Sequence, residues 1–112
     1  MSIDEQTRGR IDSLVREHRV LLFMKGERHA PQCGFSAAVV QVLDALGCDY
    51  QTVNVLADPQ LREGIKAYSN WPTVPQLYVG GEFQGGCDIV REAYARGELQ
   101  QMLGLAQASA GA

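Results

Sequence analysis

The chain has 112 residues and a net charge of −3, and no basic cluster interleaved with aromatics appears, which argues against a nucleic-acid binder. Its 46% hydrophobic and 21% charged content is that of an ordinary globular domain with one core. No apolar run approaches the ~18 residues of a membrane span. The polar, acidic start Met1-Ser2-Ile3-Asp4-Glu5-Gln6 has the character of neither a secretory signal nor an Arg-rich transit peptide, so the expected location is the cytoplasm, or a matrix after processing.

Ile11, Leu14 and Val15 at helical spacing predict an amphipathic first helix. Val20-Leu21-Leu22-Phe23-Met24 is a continuous apolar run, suited to a strand buried on both faces. Residues 25–32 read as a polar loop containing Gly26 and Pro31. A second helix is predicted over 34–46, with Val39, Val42, Leu43 and Leu46 as its buried stripe and Gly47 as its terminator. Tyr50, Val53 and Val55 mark the next strand. Asp58-Pro59 supplies the N-cap and first residue of a third helix, whose inner face is Leu61, Ile65 and Tyr68. Pro72 and Pro75 forbid helix around them. Gln76-Leu77-Tyr78-Val79, a Gly80-Gly81 turn and Glu82-Phe83-Gln84 form a hairpin. Gly85-Gly86 leads into a helix bearing Ile89, Val90, Ala93 and Tyr94, and Leu99, Met102 and Leu103 form a short last one.

Two strands joined by a helix are expected to be parallel with a right-handed crossover, and the hairpin is antiparallel. The expected fold is α/β and thioredoxin-like: a mixed four-stranded sheet flanked by helices on both faces. Residues 1–107 form a single domain, and the small-residue tail 108–112 is expected to fray.

The cysteines are Cys33, Cys48 and Cys87, an odd number without zinc-type spacing to each other or to His18 and His29, and both histidines are most simply solvated. A disulfide scaffold does not suit a reducing compartment. Cys33 opens Cys33-Gly34-Phe35-Ser36 at the start of the second helix, where a second thiol would make a dithiol motif and Ser36 stands instead. A cysteine there faces unpaired N–H groups and the positive end of the helix dipole, and Lys25 adds charge across the loop; all favour the reactive thiolate. Cys48 reads as a small buried hydrophobe. Cys87, at another helix start, is either a secondary redox partner or a site-lining residue.

Cys33-Gly34-Phe35-Ser36, Trp71-Pro72-Thr73-Val74-Pro75 and Gly85-Gly86-Cys87-Asp88, with Lys25 eight positions before Cys33, resemble the monothiol (CGFS-type) glutaredoxins of the single-domain class. The resemblance covers residues 20–102. It departs at Glu27-Arg28-His29-Ala30, where relatives often carry a proline, and at Val74, whose position is often larger or aromatic. The resemblance implies a glutathione groove. Thr73-Val74-Pro75 corresponds to the loop whose cis proline turns the main chain of Val74 toward the cysteinyl part of glutathione. The helix start at Cys87-Asp88 offers N–H groups to the γ-glutamyl carboxylate, and Asp88 accepts from the adjacent ammonium. Arg62, with Lys66 one turn later, matches the basic position for the glycine carboxylate. Lys25 lies near the sulfur and the glycine end, while Trp71 is expected to pack.

The resemblance further implies a [2Fe–2S] cluster, which needs four ligands. A homodimer supplies Cys33 twice, as metal ligand, and two glutathiones supply the remaining sulfurs. That is a carrier for iron–sulfur cluster assembly, storage and transfer. Its implied partners are a BolA-like protein, with a partner histidine replacing one glutathione-bound protomer, and apo iron–sulfur proteins as recipients. The alternative is a glutathione-dependent oxidoreductase in which Cys33 is the catalytic nucleophile of protein deglutathionylation. A third reading pairs Cys33 with Cys87 as a redox switch, which requires Cα atoms within about 7 Å.

Overall fold

The computed structural model describes residues 3–104, so the expected tail at 108–112 and the expected domain end at 107 lie outside the described residues. All five residues of β1 (Val20–Met24) are buried, as a strand covered on both faces requires. The pleat divides them. Val20, Leu22 and Met24 enter one core cluster, and Leu21 and Phe23 enter the other. The rest of the fold follows from what covers those two faces.

Toward the first cluster, α2 (Gly34–Leu46) contributes Val39, Val40 and Leu43, α4 (Cys87–Ala95) contributes Val90, and α5 (Glu98–Met102) contributes Leu99. Toward the second, α1 (Glu5–Glu17) presents Ile11 and Val15, and α3 (Pro59–Ser69) presents Leu61 and Ile65. Val42, Leu46 and Tyr68, expected inside, are only partly buried and pack at the margins of their clusters.

The strand order is β4-β1-β5-β6. β4 (Gln51–Asn54) runs parallel to β1, β5 (Gln76–Val79) antiparallel to it, and β6 (Glu82–Gly85) antiparallel to β5. The sheet is mixed, four-stranded and flanked by helices on both faces, which is the thioredoxin-like arrangement expected.

The predicted helix boundaries have visible causes. Asp58 accepts from the N–H groups of Gln60 (3.1 Å) and Leu61 (3.2 Å) ahead of Pro59, and α2 ends at Gly47 in the left-handed region. Two local expectations are corrected. The second strand stops at Asn54, and Val55 begins a 3₁₀ turn (Val55–Ala57), because the Asn54 side chain accepts from the Leu56 N–H at 2.9 Å and caps that turn. Residues 25–32 are not merely loop. β2 (Gly26–Glu27) and β3 (Ala30–Pro31) form a small antiparallel ribbon.

The ribbon lies beside β4 and is tied to it. Gly26 N–H donates to Asn54 Oδ1 (2.9 Å), and Asn54 Nδ2 donates to Glu27 Oε2 (3.0 Å). Gly26 sits at φ +95, where a Cβ would meet Gln32 N at 2.6 Å. At the ribbon's tip Arg28 pairs with Asp44 (2.7 Å) and stacks over Tyr50, whose hydroxyl donates to Asp44 at 2.8 Å. The segment leading to Cys33 is therefore fastened to both β4 and α2.

Candidate functional site

Cys33 is the N-cap of α2, half-buried, with extended backbone. Its Sγ closes no capping hydrogen bond. The main-chain N–H of Ser36 is the largest influence on it, joined by that of Phe35, the Lys25 ammonium and the Ser36 hydroxyl. Together they hold the thiol below its ordinary value against burial, which opposes them and is second in size only to the Ser36 N–H. Ser36, where a second thiol would stand, is fully buried and accepts the Lys25 N–H at 3.1 Å. The serine thus ties the end of β1 to the first turn of α2, and so fixes Lys25 relative to Cys33.

Two adjoining open pockets run from this point as one groove. The first, of about 300 Å³, is lined by Lys25, Cys33, Phe35, Arg62, Lys66, Pro72, Thr73 and Val74. The second, of about 250 Å³, shares Phe35, Thr73 and Val74 and continues over Trp71, Pro75, Gly86, Cys87, Asp88 and Ile89. Every site residue named from the sequence therefore lines the groove. One end carries three cations. Lys66 is shared with Glu63 at 3.0 Å, and Arg62 lies one turn before it on α3. The other end is the first turn of α4, where Asp88 is exposed and Cys87 is 8% exposed. Between them the Val74–Pro75 peptide is cis. The Val74 side chain belongs to the core cluster below, which leaves its main chain at the groove floor.

Three lining residues escaped the sequence reading. Phe35 is 62% exposed, an unusual place for an aromatic, and stands where the two pockets meet. Ile89 is likewise exposed rather than core. Trp71 packs on Phe83 (5.6 Å between ring centres), as expected, but also walls the groove, and a Cβ at Gly86 would come within 3.1 Å of its indole nitrogen.

The three thiols are free and differ in kind. Burial foremost pushes Cys87 up, and burial does the same for Cys48, which packs against the core away from the groove. His29 is exposed and His18 half-covered. Among the described residues no three His, Cys, Asp or Glu side chains gather so as to hold a metal ion, and no helix is long and apolar enough to cross a membrane.

Because a thiol held low ionises first, Cys33 is expected to alkylate with iodoacetamide at lower pH than Cys87 and Cys48, which follow only as pH rises further. Peptide mass mapping across a pH series checks this. Equal modification of all three at every pH would contradict the electrostatic account.

The glutaredoxin family model matches residues 20–84, more than half of the chain. A ycf64-like monothiol glutaredoxin of Synechocystis is 56% identical over 107 residues, covering 96% of this chain and all of that one. The chain belongs to the monothiol glutaredoxin family. Among solved structures, that of reduced poplar apo GrxS14 superposes with a TM-score of 0.76 at 53% identity, covering 86% of this chain and 88% of that one. A buckwheat glutaredoxin–glutathione complex superposes with a TM-score of 0.76 at 27% identity, covering 89% and 93%. In this glutaredoxin the Cys33 thiol at the start of α2 and the groove beside it are what any shared chemistry must use.

Proposed function

We propose that this glutaredoxin binds glutathione in the groove and carries a [2Fe–2S] cluster between two copies of itself, for iron–sulfur cluster assembly, storage and transfer in a reducing compartment such as the cytoplasm. The observation that carries the reading is a thiol favoured toward ionisation, Cys33, lining a groove with cations at one end and a helix N-terminus at the other. Glutathione has a carboxylate at each end and a thiol between them. Arg62, Lys66 and Lys25 suit its glycine carboxylate, the Val74 main chain its cysteinyl part, and the first turn of α4 with Asp88 its γ-glutamyl end. The solved glutathione complex of the buckwheat relative supports glutathione as the ligand.

The cluster is cargo, and it needs four sulfurs where one chain offers one thiolate. Cys33 and one bound glutathione give two, and a second protomer repeats them. Ser36 and Lys25 keep Cys33 oriented and ionised, and the noncovalently held glutathione lets the cargo leave. A BolA-like protein and apo iron–sulfur proteins are the proposed partners for that exchange.

The same activated thiol supports a second reading, deglutathionylation. Cys33 thiolate attacks the glutathione sulfur of a protein–glutathione disulfide, and the protein thiolate leaves. A second glutathione thiolate then attacks the sulfur of the glutathione held on Cys33, giving oxidised glutathione and restoring the Cys33 thiolate.

Reconstitution with iron, sulfide and glutathione separates the readings through visible spectrum and mass. A brown dimer that bleaches and dissociates when glutathione is removed is expected. A colourless monomer that rapidly turns over a glutathionylated protein would replace the carrier by the oxidoreductase.

A further inference from the structure

Under the groove lies a set of polar side chains that the functions above do not use. Gln76, the first residue of β5, is fully buried. Its Nε2 donates to the main-chain oxygens of Thr73 (3.0 Å) and Trp71 (3.3 Å), and its Oε1 accepts from the Tyr78 hydroxyl (3.3 Å). The same hydroxyl faces Ser69. Ser69 Oγ in turn accepts from the Trp71 N–H (3.1 Å) and donates to the Ile65 oxygen (2.9 Å).

These contacts run from the last turn of α3, through the loop at 71–73, into β5. A buried amide is costly unless its hydrogen bonds are made, and an apolar residue would fill a sheet position without that demand. What the amide adds is direction. Two donors aimed at the loop carbonyls of Trp71 and Thr73 fix the path of the chain just before Val74, where hydrophobic contact alone would fix only its depth.

The two elements so joined both line the groove. α3 carries Arg62 and Lys66, and the loop carries Thr73 and Val74. A ligand reaching from the cations to the Val74 main chain must match the distance between them. The Tyr78 ring, against Phe23 (5.6 Å) and Phe83 (5.5 Å), and Phe83 against Trp71 carry the same brace back to the start of the loop.

We infer that Gln76 is a positioning residue for the ligand groove: with Tyr78 and Ser69 it holds the 71–73 loop at a set distance from the basic face of α3. A ligand carboxylate and the Val74 main chain are then met together. The inference rests on reading the groove as the glutathione site. It assigns Gln76 no contact with glutathione, so its effect falls on affinity rather than on the thiol.

Gln76→Met keeps the volume and removes all three hydrogen bonds. Calorimetric titration with reduced glutathione is expected to show affinity about tenfold weaker, the order of the cost of ordering a loop on binding. The emission of Trp71, the single tryptophan, should shift in the ligand-free protein, since its carbonyl is one of the two released. Iodoacetamide reactivity of Cys33 should stay at the wild-type rate, because α2 and Ser36 hold that residue. Leu43→Ala, which destabilises the opposite core cluster, is the control and should leave affinity and emission unchanged.

If Gln76→Met does not fold, Tyr78→Phe, which removes one hydroxyl, is expected to weaken glutathione binding about threefold with the same emission shift. A lowered Tm with wild-type affinity and emission would reduce Gln76 to a stability residue and overturn the inference alone. Wild-type protein that binds no glutathione overturns the reading of the groove, and the inference with it.

Discussion

Cys33→Ser is expected to give a folded protein that is colourless after reconstitution and inert toward glutathionylated substrates, whereas Cys87→Ser retains most of its colour. The asymmetry follows from placement. Cys33 is half-exposed at a helix cap, so replacing its sulfur by oxygen disturbs little packing, and the Tm should lie within a degree or two of wild type. What is lost is the thiolate that Ser36 N–H, Phe35 N–H and Lys25 stabilise, and a serine hydroxyl does not ionise to replace it. Cys87 is 8% exposed, belongs to a core cluster, and is pushed away from ionisation by burial. Its hydroxyl variant should lose about 1 kcal/mol of stability while still lining the groove. Absorbance of the reconstituted proteins, with sedimentation to read the dimer, measures both. Retained colour in Cys33→Ser, or complete loss in Cys87→Ser with a normal fold, would reverse the assignment of the ligand.

Why Cys33 was legible in the sequence and its surroundings only partly so is a matter of range. The features that placed it are local: an apolar run, a loop, a helix period from Val39 to Leu43, and a glycine stop at Gly47. The same holds for the Asp58-Pro59 start and the Gly80-Gly81 hairpin, which have short-range signatures with a physical cause. The ribbon at Gly26–Glu27 and Ala30–Pro31 has strands of two residues, too short for any period, and it exists through Asn54, far along the chain. Val55 was misplaced by its apolar, β-branched character, which the Asn54 cap outweighs. The burial of Gln76 and the exposure of Phe35 defy hydropathy in opposite senses; Phe35 lines the groove, and Gln76 braces the loop that lines it. The cationic wall was reached through likeness to glutaredoxins, because Arg62 and Lys66 at i, i+4 are by themselves an ordinary helix surface.

Phe23→Ala should be the most damaging single truncation in the second core cluster, at about 3–5 kcal/mol. Phe23 is fully buried in the central strand, level with Val53 on one side and Gln76 on the other. Its ring meets Tyr78 edge to face at 5.6 Å, so the loss combines transfer of a large side chain, a cavity and an aromatic pair. A drop of that size should lower the Tm by roughly 12–20 °C. The strand's neighbours cannot close the gap, since β1 is hydrogen-bonded to β4 and β5 and covered on both faces. The void opens beneath Tyr78 in the cluster that also holds Val74, so the groove floor loses support along with the fold. Glutathione should therefore restore part of the lost stability by mass action, about 2.7 kcal/mol at a hundredfold excess over its dissociation constant in the variant. That constant should itself be weaker than in wild type. Thermal melts with and without glutathione read both quantities at once. A loss below about 1 kcal/mol would mean that the core collapses around the cavity. A full loss of stability with a glutathione dissociation constant equal to that of wild type would show that this core does not couple to the groove above it.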